Sequence, residues 1–143
     1  MKKIILTALA VLMMLGFAGC SGDLHDYVDL PPSGYWFYVD VDTTFDRVIF
    51  NTKFDGSNGD QTSDTTIDVS VGSVYYSYNG DNGNSAPATV FTGDNKPASQ
   101  AGRIWVVSTL ETFNVYSWNS VSNANNATWP GAAATKSSHV VED

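Results

Sequence analysis

From position 35 onward, apolar and polar residues alternate with a period of two in short runs. Successive side chains of a strand point to opposite faces, so this period predicts half-buried strands. Over residues 35–41, Tyr35, Phe37, Val39 and Val41 share one face, and Trp36, Tyr38 and Asp40 the other. Residues 46–52 set Val48 and Phe50 against Ile49, and residues 65–71 turn Ile67, Val69 and Val71 inward. A fourth run at 74–78 is expected to form a hairpin with the third across Gly72 and Ser73. Residues 103–108 oppose Ile104 and Val106 to Trp105 and Val107, and 113–119 oppose Phe113, Val115 and Ser117 to Asn114, Tyr116 and Trp118. No later stretch carries the 3.6-residue period of an amphipathic helix. Six short strands rich in Val, Thr and Tyr, separated by Gly- and Asn-rich turns, predict an all-β fold, an immunoglobulin-like antiparallel β-sandwich.

The flanks read differently. Residues 1–19 have a basic start, an apolar run from Ile4 to Phe17 and the small pair Ala18-Gly19, the pattern of an export signal. That run is shorter than the roughly 20 residues of a bilayer span. The string FAGC at 17–20 resembles a bacterial lipobox, which implies that Cys20 is lipidated and becomes the mature N-terminus. Residues 20–33, with Pro31-Pro32, form an extended tether. The acidic residues after Cys20 resemble those of Bacteroidetes surface lipoproteins, which implies an outer-membrane protein facing the exterior. Residues 79–102, dominated by Gly, Asn, Asp, Ser and Pro, serve either as a linker between two modules or as the long connection of one. Residues 137–143 read as a polar tail.

Composition then narrows the chemistry. Without Lys2 and Lys3 the balance is 5 Lys+Arg against 15 Asp+Glu. So acidic a surface argues against nucleic acid and anionic lipid surfaces and disfavours polyanionic glycans, while neutral polysaccharide is compatible with it. With one cysteine, no intramolecular disulfide forms. Both histidines, His25 and His139, fall in the expected tether and tail, away from the rigid support a general base requires. The oxygen-rich loop at 55–60 lacks the EF-hand spacing and reads as a solvated turn. Neither cofactor nor metal is expected, and the chain does not read as an enzyme.

Candidate chemistry lies near the C-terminus. Tyr116 and Trp118 stand about 7 Å apart along one face of a strand. Trp129 follows at a Pro-Gly turn that would hold its ring at a set angle. Fixed rings with amides beside them suit a sugar, whose C–H face stacks while its hydroxyls meet Asn or Gln. The same rings would equally suit a core or a protein interface.

The strings VYSWN at 115–119 and NNATWPGAAAT at 125–135 resemble the first half of a family 26 starch-binding carbohydrate-binding module: a Tyr-x-Trp strand, a loop, then Trp-Pro-Gly. RVIFN at 47–51, GDQTSD at 59–64 and VYYSY at 74–78 resemble its second half. The halves stand in reversed order, and Ala134 occupies a position where the family usually has Met. The chain is therefore either a permuted module, with 34–78 and 103–136 closing into one sandwich, or the facing halves of two truncated modules. The resemblance implies a lipid-anchored, non-catalytic binder of α-1,4-glucan (starch or maltooligosaccharides), working beside other starch-utilisation proteins. It implies glucan contacts at Tyr116, Trp118 and Trp129, with Gln61 as a hydroxyl partner. The alternatives are a surface lipoprotein that contacts proteins and a non-functional remnant.

Overall fold

A computed structural model describes residues 34–54, 58–81 and 86–141. The export signal expected at 1–19, Cys20 with its expected lipid, the tether expected at 20–33 and part of the 55–60 loop lie outside the described residues. Nine strands and no helix occur among the described residues: β1 (Gly34–Asp40), β2 (Arg47–Asn51), β3 (Thr65–Thr66), β4 (Val74–Ser77), β5 (Thr89–Val90), β6 (Arg103–Ser108), β7 (Asn114–Trp118), β8 (Ala132–Ala133) and β9 (Thr135–Val141). They form a five-stranded sheet ordered β5-β4-β6-β1-β9 and a four-stranded sheet ordered β3-β2-β7-β8. The fold is an all-β sandwich, as the alternation predicts. One pairing departs from the antiparallel expectation, since β4 runs parallel to β6.

The core follows from the period of two. Phe37, Val39, Ile104 and Val106 face inward from one sheet, and Val48, Phe50 and Val115 from the other. Phe113, Tyr76 and Tyr78 fill the space between them. The outer face of the five-stranded sheet is also apolar. Trp36, Trp105 and Val107 are buried there, with Tyr38, Tyr75, Phe91 and Val141 packed around them. Edge-on contacts join Trp36 to Phe91 at 4.9 Å and to Trp105 at 6.3 Å. This second cluster takes up two of the four tryptophans.

The structure corrects four expectations. The third strand ends at Thr66, because the Asp68 carboxylate accepts bonds from the Ser70 N–H and hydroxyl and bends the chain. Ile67 and Val69 are buried, but Val71 beyond the bend is 92% exposed. The hairpin across Gly72-Ser73 does not form, since β3 and β4 lie in different sheets. Residues 79–102 are not a linker between modules. They supply β5, bring Phe91 onto Trp36, and offer the carbonyls of Pro97 and Ala98 to the Tyr75 hydroxyl and the Trp105 indole. Nor is the C-terminus a tail, because β9 pairs with β1 across a bulge between Tyr35 and Phe37.

Strands from the two halves pair with one another in both sheets: β1 with β6, and β2 with β7. A half-sandwich would leave those edges and apolar faces in water. The described residues from Gly34 to Val141 accordingly lie in one compact unit.

Candidate functional site

Strand β7 projects Val115 and Ser117 inward and Tyr116 and Trp118 outward. Their ring centroids are 5.2 Å apart, with planes 35° from parallel. The rings thus lean closer than the roughly 7 Å repeat of alternate strand positions. Trp129 arrives from the loop after β7, 37% exposed. Its ring meets Tyr116 at 5.3 Å and 74°. The three predicted rings therefore form one continuous aromatic patch on the outer face of the four-stranded sheet.

Polar side chains hold that loop in place. The Asn126 amide imitates a strand neighbour: its Oδ1 accepts from the Ser117 N–H at 3.0 Å and its Nδ2 donates to the Val115 carbonyl at 2.9 Å. Fully buried Asn51 donates to the Pro130 carbonyl at 2.9 Å and accepts from the Lys53 N–H at 3.0 Å. The Trp129–Pro130 peptide is cis. Gly131, at φ 105°, lets the turn press against β7, where a Cβ would collide with the Val115 carbonyl. At the other end of β7, Asp46 receives the Ser120 N–H at 2.8 Å and the Ser120 hydroxyl at 2.6 Å. Those two bonds, with a smaller contribution from Arg47, hold the Asp46 carboxyl below its ordinary value.

The two sheets differ in how their rings are covered. On the five-stranded sheet, Arg103 lies over Tyr38 at 4.2 Å and Trp105 at 5.4 Å, anchored by two bonds to Asp40. Lys136 covers Tyr35 at 3.7 Å, and Lys96 stands 5.3 Å from the Tyr75 ring centre. Among the described residues no cation sits over Tyr116, Trp118 or Trp129. Trp129 is exposed and Tyr116 and Trp118 are partly exposed, so the patch keeps aromatic surface open to solvent although the rings also pack on one another.

Gln61 does not join them. It bridges Asn51, which pairs with Asn114, so it lies two strands from β7 and one side-chain row away from Tyr116. Two strand spacings alone are about 10 Å. Residues that the sequence did not single out lie nearer: Ile49 is opposite Tyr116, Arg47 opposite Trp118, and Asn125 bridges Trp118 on its other side. Only register reveals these neighbours, since no local motif links position 47 to 118. His139 meets the edge of Trp105 at 6.2 Å, on the other sheet. No group of three or more His, Cys, Asp or Glu side chains placed to hold a metal occurs among the described residues. No protein-family model, curated protein or solved structure matches the chain.

Proposed function

We propose that this chain is a non-catalytic carbohydrate-binding module that takes α-1,4-glucan on the outer face of its four-stranded sheet. The observation that carries the reading is the convergence of Tyr116, Trp118 and Trp129 into one patch with no cation over the rings among the described residues, their planes inclined at 35° and 74°. Inclined rings suit a chain that curves. The α-1,4 linkage turns each glucose relative to the last, so successive C–H faces present themselves at changing angles. A flat glycan ribbon would instead favour coplanar rings. The likeness of the strings within 47–78 and 115–135 to starch-binding modules of family 26 supports the same ligand.

Each stacked ring contributes on the order of 1 kcal/mol, taking the scale of other aromatic contacts. One patch then binds in the micromolar to millimolar range. A lipid on Cys20 would display many copies on the bacterial outer membrane and raise the avidity for a multivalent polymer. Affinity electrophoresis tests the reading. Amylopectin in the gel should retard the wild-type protein and leave a Trp118→Ala/Trp129→Ala variant unretarded. A folded wild type that runs freely in amylopectin would overturn the assignment and favour protein contacts through this face.

A further inference from the structure

We infer that Arg47 and Asn125, on either side of Trp118, are the hydroxyl-binding residues of the aromatic face, in place of Gln61. The inference rests on the glucan reading and adds its polar half. Residues opposite each other in an antiparallel pair share a sheet face, with Cβ atoms about 5 Å apart. Arg47 pairs with Trp118 from β2, and Asn125 bridges it from the following loop. The row across the sheet is therefore Arg47, Trp118, Asn125, with the indole in the middle. A pyranose stacked on that indole points its hydroxyls outward in the plane of its ring, toward both flanking positions.

Each flanking side chain has capacity to spare. Arg47 donates one Nη1 bond to the Asp46 carbonyl at 2.9 Å, and the same nitrogen lies 3.3 Å from the Asp46 carboxylate. A guanidinium has five N–H groups, so donors remain, and the tie to Asp46 already holds the fork in place. Asn125 is exposed, and its amide makes no hydrogen bond to any described residue. Its neighbour Asn126 is committed to Val115 and Ser117. An amide both donates and accepts, which suits a hydroxyl that does both.

Calorimetric titration of the full chain with maltoheptaose tests this, with circular dichroism to verify folding. Arg47→Ala and Asn125→Ala should each weaken binding about 5- to 10-fold, the scale of one net hydrogen bond. Gln61→Ala should bind like the wild type. Asn125 lies in an exposed loop, so its variant stays informative if loss of the Arg47–Asp46 contact disturbs folding. Wild-type affinity in Asn125→Ala, with binding lost in Trp118→Ala, would overturn the inference and leave the glucan reading standing. A wild type that does not bind maltoheptaose, or a Trp118→Ala variant that binds normally, would overturn both.

Discussion

Asn51 shows how much one side chain can decide. It lies in the outward row of β2, yet it is fully buried because the Trp129–Gly131 turn folds over it. Its amide joins the Pro130 carbonyl, the Lys53 N–H and the Asn114 amide. Truncation in Asn51→Ala leaves these buried groups without partners, at a cost of about 1–3 kcal/mol. It also releases the turn that orients Trp129. The expected outcome is a lower thermal midpoint together with weaker glucan binding, measured by calorimetry and by titration below that midpoint. Arg103 presents the opposite case. The bidentate bond to Asp40 raises its pKa and parks the guanidinium over Tyr38 and Trp105, so those rings serve the fold.

At the scale of the element, β9 is the instructive strand. Its sequence is polar and its positions are mostly exposed, so no hydrophobic period marks it. It forms because β1 presents an unpaired backbone edge, and because Lys136 finds the face of Tyr35. Ending the chain at Ala134 turns β1 into a bare edge. The expected loss is roughly 2–4 kcal/mol, from a handful of ladder bonds at about 0.5–1 kcal/mol each. A lower urea midpoint and concentration-dependent association through the exposed edge should accompany it. In the intact chain β9 covers the edge of β1 and is itself the outer strand, where its irregular pairing and Lys136 discourage a further strand. Other strands were plain in the sequence, because Val48 and Phe50, or Ile104 and Val106, must be buried at every second position. The third run misled, because the Asp68–Ser70 bend is a local polar bond that hydrophobic alternation does not register.

For the whole molecule, the pairing of early with late strands makes stability a shared property. Single-domain sandwiches of this size unfold in one cooperative step, so fluorescence and circular dichroism should report coincident denaturant transitions. Acid should weaken the fold in a defined window. Asp42, Asp46 and Asp68 are held below the ordinary carboxyl value of 3.8, chiefly by the hydroxyls of Thr44, Ser120 and Ser70. A depressed folded-state pKa means that the unfolded chain takes up protons first as pH falls. The contribution is thus complete above about pH 4 and is lost as pH drops through the folded values. Thermal midpoints measured from pH 7 to pH 2 should hold steady at first and decline below about pH 4.

The sequence by itself determined the strand class, most of the inward-facing residues, and three rings suited to a ligand. Each of these depends on local periodicity or on a short string around a turn. Only the tertiary structure decided which sheet each strand joined, that residues 79–102 and 135–141 complete the sandwich, and which tryptophans stay open. Trp105 and Trp118 stand in similar alternating runs. Trp105 lies under Arg103 because β6 is central in its sheet and faces Trp36, whereas Trp118 lies near the end of β7 with Arg47 and Asn125 beside it. That difference comes from pairings between residues far apart in the chain, which local alternation cannot encode.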